Sequence, residues 1–265
     1  MRDLQPAIAA SSIRWTDEEA GSRNPLIRKL ERFVPLSEDD RAALEWVCSS
    51  PRSVEPHLDL AREGSVPEDA IVVLGGFACR YTLRQNGARQ ILAYLLPGDL
   101  CDADLPNLGR MDHAIGTLST CMVVRVPRET LVSLTEHHPN VARALRLAKL
   151  AEEATARAWI VSLGCRSATE RLTHLFCELR TRLEAVGLVR EGWHPLPLTQ
   201  VDLADTLGLS NVHVNRVLQN LRRKGLILLK GRSLKLLDLE GLRAVAEFSP
   251  RYLQAGPRQN GQALL

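Results

Sequence analysis

Hydrophobic and polar positions change texture three times along the chain. Leu26, Leu30 and Phe33 recur at helical intervals, and Ser37 followed three places on by Asp40 caps a second helix through Ala43, Leu44 and Val47. From about Arg52 to Val126 the pattern becomes short apolar runs cut by turn residues, which predicts a compact all-β unit. Ile71-Val72-Val73-Leu74 stops at Gly75-Gly76. The run 78–83 enters Gln85-Asn86-Gly87, and an Asn-Gly between strand-like runs is a strong hairpin signal because both positions tolerate positive φ. The returning strand, 90–96, stops at Pro97-Gly98-Asp99. A polar stretch over 101–112 leads to a last strand ending in Cys121-Met122-Val123-Val124-Arg125-Val126.

After Pro127 the spacing turns helical, over 129–137 and then over a long run, 140–163, which Gly164 is expected to break. Val141, Leu145, Ala148, Ala151, Thr155 and Ala158 form a narrow seam of small and apolar groups, the pattern of close helix pairing between two chains. Ser167 and Glu170 make a capping box for a further helix to about Val186, and 187–197 reads as a loop.

Thr199 with Asp202 caps a short helix bearing Val201, Leu203, Ala204 and Leu207. Leu207-Gly208-Leu209-Ser210 is a tight turn in which Gly208 supplies the permissive backbone and Ser210 caps the next helix, a helix-turn-helix spacing. On that second helix, 211–224, Val214, Val217, Leu218 and Leu221 share one side and predict core. Val212, Arg216, Gln219 and Arg223 lie opposite, flanked by His213 and Asn215, with Asn211 at the exposed end. Arg suits guanine and Asn or Gln suits adenine in a major groove, so Asn211, Val212, His213, Asn215 and Arg216 are candidates for base readout. The apolar runs 226–229 and 234–237 around Lys230-Gly231-Arg232-Ser233 predict a hairpin wing. Thr199, Gln200, Ser210, Gln219, Arg223, Lys230, Arg232 and Ser233 are candidates for the phosphate backbone.

Composition alone discriminates little: 265 residues, 45% hydrophobic, 25% charged and a net charge of +3. Its distribution is sharper. Residues 52–126 carry seven basic side chains against nine acidic, 166–238 carry twelve against seven, and 211–236 carry seven basic and no acidic ones. No apolar run spans a bilayer, and Asp17, Glu18 and Glu19 stand where a signal peptide is apolar, so a cytoplasmic protein without a membrane partner is expected. The six cysteines are too scattered for a zinc site or a compact disulfide framework, which predicts buried hydrophobes. Neither a catalytic motif nor metal-ligand spacing is found, the group Asp99, Asp102, Asp104 and His113 included, so no enzyme and no metal site is expected.

An all-β unit, a long helix and a winged helix-turn-helix in this order resemble the Crp/Fnr family of bacterial transcription regulators over about residues 25–247. The resemblance is carried by the stretches 198–210, 212–218 and 231–236, and by Leu96-Pro97-Gly98-Asp99-Leu100. It implies an α+β fold: an N-terminal antiparallel β-roll of the cyclic-nucleotide-binding, jelly-roll kind, a long dimerisation helix and a C-terminal winged helix-turn-helix. The expected organisation is a leader to residue 24, a sensor over 25–138, the dimer helix over 139–164, the reader over 165–247 and a flexible tail over 248–265. The implied activity is sequence-specific binding of a palindromic operator by a homodimer, with double-stranded DNA and RNA polymerase as partners.

The chain departs from the family pattern in two places. Val212 stands where many members present Glu, and Asn215-Arg216 replaces Ser-Arg, which implies an altered half-site with Arg216 keeping a guanine. In the sensor, Gly98, Asp99, Leu100, Arg110 and His113 are the candidate effector pocket, but Asp99 and Arg110-Met111-Asp112-His113-Ala114 put an acid where a cyclic phosphate would sit. Cyclic nucleotide is therefore not expected. Neither is an iron–sulfur cluster, since the first cysteine is Cys48, nor haem on His57 or His113. The signal stays open between a small molecule, cysteine oxidation and none. The competing reading is a ligand- or redox-sensing module whose winged helix mainly contacts protein.

Overall fold

The structure, a computed structural model, describes residues 24–101 and 109–253. The leader before Asn24, Asp102 and Asp104 in the polar stretch, and the tail beyond residue 253 lie outside the described residues. Helix α1 (Pro25–Glu31) starts where Asn24 Oδ1 accepts from Leu26 N, and α2 (Glu38–Val47) at a reciprocal Ser37–Asp40 box. Two four-stranded antiparallel sheets follow. One runs β1 (Arg52–Val54), β8 (Cys121–Pro127), β3 (Asp69–Gly75), β6 (Leu100–Cys101), and the other β2 (Asp59–Ala61), β7 (Ala114–Thr117), β4 (Ala78–Leu83), β5 (Arg89–Leu95). The three central runs read from sequence are β3, β4 and β5. The short strands β1, β2 and β6 offer too few alternating positions to be legible.

Strand β3 is apolar on both faces because both are covered. Ile71 and Val73 join Leu60, Leu95, Ile115 and Val123 inside the roll. Ala70 and Val72 join Val124 and Val126 beneath α1, α2, α3 (Arg128–His137) and the first half of α4 (Pro139–Cys165). Helix α4 runs through Gly164 to Cys165, against the expected break, because its backbone there stays helical until the extended Arg166.

The expected pairing seam of α4 is a correction. Val141, Leu145, Ala148 and Ala151 are buried inside this chain, and Thr155 and Ala158 are half-buried. The period was real, but the surface it meets is the chain's own roll and helices; periodicity marks a buried face without naming what covers it. The opposite face exposes Leu150, Arg157, Ile160 and Val161, with Ala154 half-buried between them.

Helix α5 (Ala168–Ala185) begins at the reciprocal Ser167–Glu170 box. The expected loop after it contains β9 (Trp193–Pro195), which pairs with β11 (Ser233–Leu236), itself paired with β10 (Ile227–Lys230). Between them lie α6 (Gln200–Leu207) and α7 (Asn211–Arg223). Helix α8 (Leu239–Ala246) and a 3-10 turn, Pro250–Leu253, are the last elements of the described residues. The tail expected from residue 248 is thus folded as far as 253: Phe248 is buried, and Tyr252 donates to Glu178 Oε2 at 2.9 Å.

The second sheet's outer face is covered in part by the C-terminal unit. Cys79, Ile91 and Tyr94 share one apolar cluster with Leu175, Phe176 and Leu179 of α5 and with the core of the C-terminal unit. Polar contacts reinforce the seam. Arg89 of β5 reaches Asp202 Oδ1 at 2.6 Å and Asp205 Oδ2 at 2.7 Å on α6, and Tyr94 Oη pairs with Thr206 Oγ1. Of the cysteines, Cys165 is exposed and the other five are buried.

Candidate nucleic-acid interface

Helix α6 is opened by Thr199, whose hydroxyl accepts from Asp202 N while the Asp202 carboxylate accepts from Thr199 N. It ends at Gly208, whose φ of +62° is the left-handed conformation that lets the chain reverse at once. Ser210 then caps α7 by accepting from His213 N at 3.3 Å. The buried stripe of α7 is the one its spacing demands, Val214, Val217, Leu218 and Leu221, each contributing about 1.5–3 kcal/mol on burial. That stripe fixes which side chains look outward. Asn211, Val212, His213, Arg216, Gln219 and Arg223 are all exposed, Val212 at 78%.

Asn215 differs from these. It is half-buried, its Nδ2 donates to Gln200 Oε1 at 3.1 Å, and its Oδ1 accepts from Gln219 Nε2 at 2.7 Å. This row of three carboxamides ties the start of α6 to the middle of α7.

The wing hairpin pairs Lys230 with Ser233 across the two residues Gly231 and Arg232. Gly231 takes φ +58° at the first central position, which a non-glycine residue adopts only under strain. Lys230 and Arg232 are exposed at this tip, Ser233 is half-buried, and Thr199, Gln200 and Ser210 are exposed at the two helix starts. The interface candidates thus lie at the starts of α6 and α7, along the exposed face of α7 and at the wing tip.

Of the effector-pocket candidates, Gly98, Asp99 and Leu100 lie together against α1, and Arg110 and His113 are held elsewhere. Gly98, at φ +94°, lies so close to α1 that an added Cβ would stand 2.5 Å from Pro25 O. Asp99 is buried, accepting from Lys29 Nζ at 2.6 Å, Leu96 N at 2.7 Å and Arg182 at 2.8 Å. Burial alone would push its carboxyl up, but Lys29 and Arg182 outweigh that and hold it below the usual carboxylate range. Leu100 packs under α1 and α4. Arg110 instead donates to Gly64 O at 2.8 Å, and His113 pairs with Asp112 at 2.6 Å. The Gly98-Asp99 turn ties α1, β5 and α5 together.

Sequence reasoning missed that tie, which continues inward. Glu178 accepts from Trp159 Nε1 and Tyr252 Oη, both at 2.9 Å, and pairs with Arg182 at 3.4 Å; burial pushes its carboxyl up. Arg182 and Asp99 are 83 positions apart, a pairing that no local spacing signals. Among the described residues no group of three or more His, Cys, Asp or Glu is placed to hold a metal, and no helix is long and apolar enough to cross a membrane.

Comparison with known proteins bears on the same segments. Residues 170–245 match the Crp-like helix-turn-helix domain and residues 51–138 the cyclic nucleotide-binding domain. The nitrogen fixation regulation protein FixK of Bradyrhizobium diazoefficiens is 32% identical over 175 residues, 66% of this chain and 72% of that protein. The fumarate and nitrate reduction regulatory protein of Escherichia coli K12 is 25% identical over 214 residues, 81% of this chain and 84% of the relative. The solved structure of FixK2 from Bradyrhizobium japonicum superposes with a TM-score of 0.65 at 27% identity, over 74% of this chain and 96% of that one.

Proposed function

The chain belongs to the Crp/Fnr family of bacterial transcription regulators, with the helix-turn-helix DNA-binding domain of that family, and from this premise we propose how it reads its operator. Helix α7 enters the major groove with Arg216 donating to a guanine edge and Val212 against a thymine methyl, while Asn211 and His213 border the neighbouring bases. Asn215 acts as a positioning residue that holds Gln200 and Gln219. Thr199, Gln200, Ser210, Gln219, Arg223, Lys230, Arg232 and Ser233 hold the phosphates on either side.

The observation that carries this reading is the acid-free stretch of seven basic residues from 211 to 236, shared between the wing and a helix whose capped start is exposed and whose register is locked by four buried side chains. Homodimers on two-fold symmetric operators are typical of the family. For this chain, the exposed face of α4 with Leu150, Ala154, Arg157 and Val161, spaced by four, three and four residues, is the surface proposed to pair. Contact with RNA polymerase and action in the cytoplasm belong to the same proposal.

Selection of binding sites from random duplexes, followed by footprinting at moderate salt, tests it. The expected result is a protected palindrome with a guanine in each half-site that loses its preference in Arg216→Ala. A sequence-blind, salt-independent interaction would instead favour a winged helix that contacts protein.

A further inference from the structure

Helix α6 lies between α7 and strand β5 of the β-roll. Leu203, Ala204 and Leu207 join the apolar cluster that holds Val214 and Leu218 of α7. Asp202, Asp205 and Thr206, three and four positions apart and so on one face, meet β5 instead. Asp202 and Asp205 are the only acids between residues 198 and 236, against seven basic residues, and one cation takes both. Arg89 donates through Nη2 to Asp202 Oδ1 at 2.6 Å and through Nε to Asp205 Oδ2 at 2.7 Å. Beside this pair, Gln90 Nε2 donates to Thr206 O at 3.3 Å and Tyr94 Oη to Asp202 O at 3.4 Å.

The Asp202 carboxylate works on two sides. Its Oδ1 meets the β-roll, and its Oδ2 accepts from Thr199 N at 2.9 Å and from the Thr199 hydroxyl at 2.7 Å, at the start of α6 where Thr199 and Gln200 are exposed. The Asp202 side chain is buried. Without the guanidinium it would stay out of water with no counter-charge, which is costly, and lifting α6 off β5 is the movement that returns it to water.

We propose that Arg89 is a positioning residue for operator binding: a β-roll side chain that touches no DNA and latches the C-terminal unit in the arrangement that presents α7 to the groove. This rests on the reading of α6 and α7 as the operator-binding helices. In a dimer, two α7 helices must stand a fixed distance apart to meet two half-sites. A C-terminal unit loosened from its own β-roll loses that distance, while its base-reading and phosphate-holding side chains stay intact. Specific binding therefore needs the latch, and non-specific contact with phosphates does not.

Arg89→Gln removes the cation and keeps a hydrogen-bonding side chain. Docking is read without DNA, from the distance between spin labels at Gln85→Cys on the β4–β5 turn and Lys224→Cys at the end of α7, both exposed positions. The labelled chain carries Cys165→Ser, which removes the exposed cysteine, and is diluted with unlabelled chains. The expected result is one narrow distance in the parent and a broad distribution in Arg89→Gln. Adding Asp202→Asn and Asp205→Asn should restore the narrow distance, since no charge is then left buried. On the selected operator Arg89→Gln should bind at least tenfold more weakly, on a scrambled duplex less than threefold more weakly, and the triple variant should recover the operator. A side chain that held a phosphate would weaken both duplexes alike. An unchanged distance in Arg89→Gln, a broad distance that persists in the triple variant, equal losses on the two duplexes, or a loosened variant that binds the operator as tightly as the parent would each overturn the inference. A parent that selects no operator would instead fail the operator reading, and with it the role of Arg89 in binding, while the latch itself is decided by the label distance.

Discussion

Asn215 and Gln200 are joined side chain to side chain, Nδ2 to Oε1 at 3.1 Å, across the turn that separates the two helices of the reading head. A carboxamide engaged in this way, with Gln219 on its other side, is placed to set the angle of α7 on the groove rather than to read a base itself. Two residues that act as one contact should not lose affinity additively. Gln200→Ala and Asn215→Ala are each expected to weaken operator binding, and the double variant to lose less than the sum by about 0.5–1.5 kcal/mol. Titration of the four proteins against one operator checks this; strictly additive losses would return Asn215 to direct base contact.

Arg216 and Lys230 are both exposed cations, but they are expected to fail differently. Arg216→Ala should cost about 1–3 kcal/mol on the cognate site and relax specificity at one base pair per half-site. Lys230→Ala should weaken all sequences alike and make the logarithmic salt slope shallower by about one. Affinities measured on cognate and scrambled duplexes across a salt series separate the two.

What the sequence revealed and what it hid follow one physical line. Features whose partners lie within a few residues were legible: the boxes at Ser37, Ser167 and Thr199, the left-handed Gly208, the wing turn at Gly231 and the buried stripe of α7. Arg89 with Asp202 and Arg182 with Asp99 were not, because each joins positions more than eighty residues apart. The strand 193–195 has too few residues to show a period and exists because β11 offers it a pairing edge. The α4 seam lies between these cases, since its period was visible but its partner was not. A single helix can bury one face in its own chain and keep the other for a second copy.

That division of α4 has separable consequences. Leu150→Glu and Val161→Glu place charge on the exposed face and are expected to shift sedimentation toward monomer with circular dichroism unchanged. Leu145→Ala removes a side chain that is buried within the chain and should cost about 2–5 kcal/mol in denaturant unfolding while leaving the monomer–dimer equilibrium in place. If Leu145→Ala dissociates the dimer and Leu150→Glu does not, the two faces have been assigned the wrong way round.

Acid should loosen the reading domain through two imidazoles. His174 lies between Phe248 and Tyr252, and His194 sits on β9; burial lowers both to about 4. In the unfolded chain an imidazole titrates near 6.5. Between about pH 6.5 and 4 the unfolded state therefore binds protons that the fold excludes, so stability falls as pH falls across that window and levels off for these groups below it. Each pH step of one below the unfolded midpoint costs about 1.36 kcal/mol per imidazole, so each is worth roughly 2 kcal/mol by about pH 5. Glu178 works in the opposite direction, because its buried carboxyl is pushed up. The comparison that isolates a histidine is thus parent against variant. His194→Leu should flatten the pH dependence of the urea midpoint between pH 7 and 5 by about half of the histidine contribution, and an unchanged slope would show that His194 is protonated in the fold.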